Sequence, residues 1–75
     1  MEMKKESRMP LKDLRKYLIA HGYSASYTEY KGYRTIVTEA VHIWGDNCDE
    51  AVKLVESMGY KVEREKSFHR YEITY

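Results

Sequence analysis

The sequence predicts an α+β fold in which two αββ repeats form a four-stranded antiparallel sheet with two helices packed on one face. The first observation is self-similarity: residues 16–23 read Lys-Tyr-Leu-Ile-Ala-His-Gly-Tyr, and residues 53–60 read Lys-Leu-Val-Glu-Ser-Met-Gly-Tyr. The second is that each Gly-Tyr follows residues with helical apolar spacing and precedes residues with strand alternation. Because neither unit can bury its apolar face alone, we expect a single domain over 10–75, with repeats at 10–44 and 46–75.

The composition is that of a small folded protein. The chain has 75 residues, of which 43% are hydrophobic and 33% charged, values typical of a globular domain rather than a disordered chain. No stretch approaches the roughly 18 apolar residues of a membrane span, and the first residues lack the apolar core of a signal peptide. We therefore expect a cytoplasmic protein that does not contact membranes.

The first repeat should begin with a helix after a flexible tail at 1–9, where no apolar periodicity is present. Pro10 suits the first helical position because its missing N–H would lack a partner there. The helix is expected to run to about His21, where Gly22 ends it with a left-handed backbone conformation. Its buried stripe should comprise Leu11, Leu14 and Leu18, with His21 as an added candidate.

The first hairpin is predicted from strands at 23–30 and 33–44, joined by a two-residue turn at Lys31-Gly32. The second strand is long, and its alternation shifts between residues 36–37 and 41–43. This pattern predicts a bulge, or a strand that leaves the sheet before the second helix.

The second repeat should begin where Gly45-Asp46-Asn47 interrupts the strand pattern. Asp46 or Asn47 can cap a helix that runs to Met58, and Gly59 should end it as Gly22 ends the first. The buried stripe of this helix is expected to contain Cys48, Ala51, Val52, Val55 and Met58, with Leu54 at its border. Strands at 60–65 and 68–75 follow, with a turn near 66–67.

Metal and cofactor sites are not predicted. The single cysteine excludes an internal disulfide, and the histidines and the cysteine show no paired ligand spacing such as Cys-x2-Cys. These residues are His21, His42, Cys48 and His69. The four glycines are isolated, so no phosphate-binding loop or other cofactor motif is indicated.

Tyrosine is the unusual feature, with eight in 75 residues. Exposed tyrosine beside arginine or lysine is typical of protein-binding hot spots. We therefore predict a small non-catalytic binding protein, a regulator or inhibitor that binds another protein through the tyrosine-rich hairpin or a sheet edge. A homodimer is one possible assembly of this protein. The candidate binding residues are Tyr27, Tyr30, Lys31, Tyr33 and Arg34.

Nucleic-acid binding is the alternative, because residues 1–16 hold six basic and three acidic side chains while the chain as a whole has a net charge of +1. Stacking of tyrosine rings on unpaired bases would strengthen such nucleic-acid binding. The candidate contacts are Lys4, Lys5, Arg8, Lys12, Arg64, His69 and Arg70.

Residues 59–71 carry a further resemblance. Their order of Gly-Tyr, strand, Arg64, turn and His69 resembles HicA-type messenger-RNA-cleaving toxins, which have a small double-stranded-RNA-binding-like fold. That family has Gly-Ser before its histidine, where this chain has Ser67-Phe68. The resemblance implies an RNA-cleaving enzyme in which His69 is the acid/base and Arg64, Lys66 and Arg70 contact phosphate.

Overall fold

The computed structural model describes residues 8–32, 37–65 and 69–75. Its elements follow the order predicted from the sequence and form an α+β fold. They are α1 (Leu11–Ala20), β1 (Ser24–Lys31), β2 (Val37–Trp44), α2 (Cys48–Ser57), β3 (Lys61–Arg64) and β4 (Arg70–Thr74).

The four strands form one antiparallel sheet in the order β1-β2-β4-β3. The two hairpins therefore meet at their second strands, where Val41 of β2 pairs with Ile73 of β4. Val62 of β3 continues this row on the far side of Ile73. The expected four-stranded antiparallel sheet is confirmed, whereas an evolutionary or structural relation between the two halves stays a prediction.

One core joins both helices to the same face of the sheet. Leucines at helical spacing on α1 and the side chains Ala51 and Val55 on α2 pack against alternate residues of the central strands. The fully buried members of this core are Leu11, Leu14, Leu18, Val41, Ile43, Ala51, Val55 and Ile73. Burial of this apolar layer is the main favourable contribution to folding. Neither helix of the described residues covers the opposite face of the sheet, which is called the helix-free face below.

Both helices end in the same hydrogen-bonded pattern at the predicted glycines. The N–H of Gly22 donates to Ile19 and that of Tyr23 to Leu18, and the corresponding pair at the second helix ends at Gly59 and Tyr60. Gly22 and Gly59 have φ angles of +88° and +95°, in the region that favours glycine. The glycine positions in the sequence therefore predicted both helix ends to within one residue: the helices end at Ala20 and Ser57, where His21 and Met58 were expected.

Two predictions about the first hairpin are wrong. Lys31 pairs with Val37 as the last residue of β1, so Lys31-Gly32 is not a two-residue turn. The predicted start of the second strand, at residue 33, lies outside the described residues. The second strand keeps one uninterrupted register with β1, from Val37 to Trp44, and has no bulge and no early departure from the sheet. Val41 and Ile43 lie on one face of this strand, and His42, also buried, lies on the other.

Two details of the helices also differ from prediction. His21 is exposed because the first helix ends before it could join the buried stripe. Its ring contacts that of Tyr17 in a tilted arrangement, with 4.3 Å between ring centroids. Asn47 precedes α2, but its side chain makes no capping hydrogen bond. Instead its Nδ2 donates to the Gly22 carbonyl at 3.1 Å, which connects the start of α2 to the end of α1.

Arg8 and Met9, assigned to the tail by the sequence, contact the body of the domain. The Arg8 guanidinium donates to the Gly59 carbonyl at 2.7 Å, and the Tyr60 hydroxyl donates to the Met9 carbonyl at 2.6 Å. The rest of the predicted tail, residues 1–7, lies outside the described residues.

The core assignment predicts opposite effects for two neighbouring residues of α1. Leu18 is fully buried and Ile19 is 45% exposed. We expect Leu18→Ala to lower the free energy of unfolding by about 2–5 kcal/mol, because it leaves a cavity under the sheet. Ile19→Ala should change it by about 0.5 kcal/mol or less. Urea unfolding followed by circular dichroism measures both, and equal effects of the two substitutions would contradict the assignment.

The glycine conformation at the end of α1 gives a second prediction. A methyl group at Gly22 would meet no atom within 4 Å, so any cost of Gly22→Ala comes from the positive φ alone. We expect that substitution to lower the free energy of unfolding by about 1–2 kcal/mol. Gly22→Asn should cost less, since asparagine tolerates this conformation better than alanine. Thermal unfolding of the two variants tests the order, and an alanine variant as stable as the parent protein rules the explanation out.

Candidate functional site

The candidate binding residues of the first hairpin lie on two faces of the sheet. Tyr27 lies on the helix-covered face beside α1, whereas Tyr30 lies on the opposite face and is 50% exposed. Lys31 is the exposed last residue of β1. Tyr33 and Arg34 lie outside the described residues. The described tyrosines of this hairpin therefore belong to two different surfaces.

A groove of about 280 Å³ runs between α1 and β1 on the helix-covered side. Its wall on α1 is formed by exposed side chains of both signs, with three cations and one carboxylate, and Tyr27 forms the strand side. The lining residues are Lys12, Asp13, Arg15, Lys16 and Tyr27. The Lys12 ammonium lies 5.7 Å from the centre of the Tyr27 ring, within the range of a cation–π contact. The α1 wall of the groove is therefore predominantly cationic.

Tyr27 is fixed in this groove by a hydrogen bond across the sheet. Its hydroxyl donates to Glu39 Oε2 at 2.6 Å. That bond, loss of solvent around the hydroxyl and the negative charge of Glu39 together raise the pKa of Tyr27 well above its usual range. The bond to Glu39 therefore holds the Tyr27 ring beside α1.

The two outer strands differ in how open they are to pairing. Within the described part of the chain, β1 pairs with β2 alone and β3 with β4 alone. The β3 strand has four residues, three of them charged: Lys61, Glu63 and Arg64. The β1 strand has eight, and only Glu29 and Lys31 at its end are charged. Short, charged edges resist pairing with other strands, so β1 is the accessible edge.

Several predicted nucleic-acid contacts make internal interactions. Arg8 donates to the Gly59 carbonyl and lies 6.0 Å from the Tyr60 ring. Arg70 forms an ion pair with Glu65. Lys12 lines the groove beside α1. Lys4 and Lys5 lie outside the described residues. The basic residues with a described position therefore do not form one stripe, and nucleic-acid binding stays a prediction.

Arg64 and His69 lie together at the other end of the domain. They line a shallow pocket of about 210 Å³ with Cys48, Asp49 and Tyr71. The Tyr71 hydroxyl donates to Asp49 Oδ1 at 3.2 Å, and the nearby Asp49 charge raises the pKa of Tyr71. His69 is exposed. The RNA-cleaving role implied by the HicA resemblance stays a prediction.

A cluster that the sequence reasoning missed lies on the helix-free face of the sheet. His42 is only 3% exposed there, and its Nε2 atom lies 3.4 Å from Glu65 Oε1 and 3.4 Å from Glu72 Oε2. The three donor atoms lie within 4.8 Å of one another and could hold a metal ion. Arg70 binds the other oxygen of Glu65 and lowers the pKa of that carboxyl. A histidine between the core residues Val41 and Ile43 was the available signal, but it did not reveal the carboxylates.

In comparisons with known proteins the chain matches no family model, no curated protein and no solved structure. Neither helix of the described residues is long and apolar enough to cross a membrane.

The raised tyrosine pKa values predict a loss of stability in alkali. Unfolded tyrosine has a pKa of about 10, so above this pH the unfolded chain loses protons before Tyr27 does in the folded chain. Stability is therefore fully present below about pH 10 and falls as the pH rises toward the higher pKa of the folded state. Tyr60, Tyr71 and Tyr75, whose pKa values are also raised, act in the same direction.

Urea unfolding at a series of pH values measures this fall. We expect Tyr27→Phe to make the fall shallower, because it removes one of the groups that titrate. Glu39→Gln should also make it shallower, since an amide neither repels the phenolate nor accepts as strong a bond. A pH dependence unchanged by both substitutions would exclude the Tyr27–Glu39 pair as its source.

Proposed function

We propose that this protein is a small non-catalytic binding protein, of the regulator or inhibitor class, that takes up an extended acidic segment of another protein as an additional strand along β1. The observation that carries the proposal is the long, sparsely charged β1 edge beside the predominantly cationic α1 wall of the groove. Addition of a strand to an open sheet edge is a common mode of peptide recognition.

The contrast between the two sheet edges supports β1 as the docking edge. An unprotected edge offers main-chain N–H and C=O groups to another strand, whereas charges and short length prevent such pairing. β3 has both protective features and β1 has neither over Ser24–Thr28. Main-chain hydrogen bonds to β1 supply affinity with little dependence on the sequence of the partner.

The groove supports an acidic partner. Alternate side chains of an added strand would point to the helix-covered side, next to Tyr27. There they would meet Lys12, Arg15 and Lys16 on the α1 wall. The nearby groups of opposite sign are Asp13 on α1 and, on the sheet beside Tyr27, Glu29 and Glu39. Glutamate or aspartate at alternate positions would complement the charge of the α1 wall, and charge complementarity selects partners and speeds association.

The Tyr27 ring gives the groove a fixed apolar surface. The bond to Glu39 holds the hydroxyl, so little side-chain entropy is lost when a partner packs on the ring. Rigid aromatic residues of this kind are typical of interface hot spots.

A selection from a displayed library of random linear peptides tests the proposal. We expect the enriched peptides to carry acidic residues at alternate positions. When added to isotope-labelled protein, they should shift the amide resonances of Ser24–Lys31 and leave those of Lys61–Arg64 unchanged. Lys12→Glu combined with Lys16→Glu should weaken binding at least about 10-fold, which corresponds to about 1.4 kcal/mol.

Lys53→Glu is the matched control, since Lys53 is an exposed lysine on the other helix. It should leave the affinity within about twofold, which is under 0.5 kcal/mol. Three outcomes overturn the proposal: enriched peptides without acidic residues, resonance shifts confined to other surfaces, or β1 shifts that depend on protein concentration alone. The last would identify a second copy as the occupant. Binding of an RNA oligonucleotide in the groove, weakening steeply with salt, would instead favour the nucleic-acid alternative.

A further inference from the structure

We propose that His42, Glu65 and Glu72 form a binding site for a divalent transition-metal ion, Zn²⁺ foremost, on the helix-free face of the sheet. This site is separate from the β1 groove, on the opposite side of the sheet. It rests on three named donor atoms and on the burial of the histidine, and not on the proposed function.

The strand register brings the ligands together. His42 on β2 pairs directly with Glu72 on β4, and directly paired residues in an antiparallel sheet point to the same face. Glu65 follows the last residue of β3, and its N–H donates to the Arg70 carbonyl at the start of β4. The three ligands thus come from three chain segments that the sheet holds in place.

The His42 imidazole points into the cluster without a hydrogen-bond partner. Its side chain is almost fully buried, and its Nε2 atom has no solvent exposure and no hydrogen bond among the described residues. Both carboxylate oxygens are 3.4 Å away, beyond the 2.7–3.2 Å range of an N–H···O bond. A buried polar atom left unpaired costs about 1–3 kcal/mol, and a bound ion would remove this cost.

The distances fit a tetrahedral ion. Two ligand atoms at about 2.1 Å from a tetrahedral Zn²⁺ lie about 3.4 Å apart. This is the separation of His42 Nε2 from each of the two carboxylate oxygens. The two carboxylate oxygens are within 4.8 Å of each other, and both glutamate side chains are partly exposed, so small rotations can complete the geometry.

The donor set selects the type of ion. One imidazole nitrogen and two carboxylates suit Zn²⁺, whereas Ca²⁺ and Mg²⁺ prefer six or more oxygen ligands. With a neutral imidazole, the two carboxylates balance the charge of a divalent ion. Arg70 contacts the Glu65 oxygen that faces away from His42, and this outer contact orients the ligand as second-shell partners do in metal sites.

Calorimetric titration of untagged protein with Zn²⁺ tests the site. We expect saturable binding of one ion, and a higher unfolding temperature when Zn²⁺ is present. Glu72→Gln and Glu65→Gln keep the side-chain shape but remove an anionic ligand. Each substitution should weaken Zn²⁺ binding at least about 10-fold. Loss of an outer-shell partner alone weakens metal binding by about 10- to 100-fold, and a direct ligand should matter at least as much. Excess Ca²⁺ or Mg²⁺ should not displace the ion.

Glu63→Gln is the matched control. Glu63 pairs with Glu72 on the neighbouring strand and is exposed, but it is not part of the cluster. This variant should bind Zn²⁺ as the parent protein does. Imidazole nitrogen resonances give a second measurement that needs no substitution of the buried histidine: Zn²⁺ should move the His42 signals and not those of His21 or His69.

The proposal fails if Zn²⁺ does not bind at millimolar concentration, or if the Glu65 and Glu72 variants bind it as tightly as the parent protein. It also fails if the ion moves the His21 or His69 signals instead. In each of these cases His42 would be an ion-pair partner of the two carboxylates only.

Discussion

The apolar layer between the helices and one face of the sheet is the interaction on which the rest of the structure depends. Leu14 and Leu18 of α1 share this layer with Val41, Ile43 and Ile73 of the two central strands. A chain of 75 residues can build only one such core. Because both helices pack on the same side, several tyrosines of the sheet pack around this core, whereas His42 and Glu72 lie on the other side.

The same core fixes the position of the His42 cluster. Val41 and Ile43 point into the apolar layer, so His42 between them must point to the opposite face. Ile73 is buried in the same layer, and Glu72 beside it is directed to the histidine. A slip of one residue in either strand would send the charged side chains into the core, and the cost of burying them prevents it. Stability of the fold and geometry of the proposed metal site therefore share one cause.

The near-neutral net charge conceals two surfaces of opposite sign. The α1 wall of the groove has three cations and one carboxylate. On the other side of the sheet, two carboxylates face His42, and Arg70 contacts the outer oxygen of Glu65. A net charge of +1 is the sum of such patches and says little about either. The two proposed activities, uptake of an acidic strand and binding of a divalent cation, use the separate patches.

The sequence by itself determined the features that depend on neighbouring residues: the α+β order of elements, the buried leucines of α1, and the helix ends at Gly22 and Gly59. These follow from helical spacing, strand alternation and the backbone freedom of glycine, which are local properties. Tertiary structure decided the pairing of Lys31 with Val37, the bond from Asn47 to the end of α1, and the strand order that creates both an accessible β1 edge and the metal cluster. The ligands of that cluster are up to 30 residues apart, 72 − 42 in chain numbering. The pairing of β4 with β2 on one side and with β3 on the other brings them within reach of one ion.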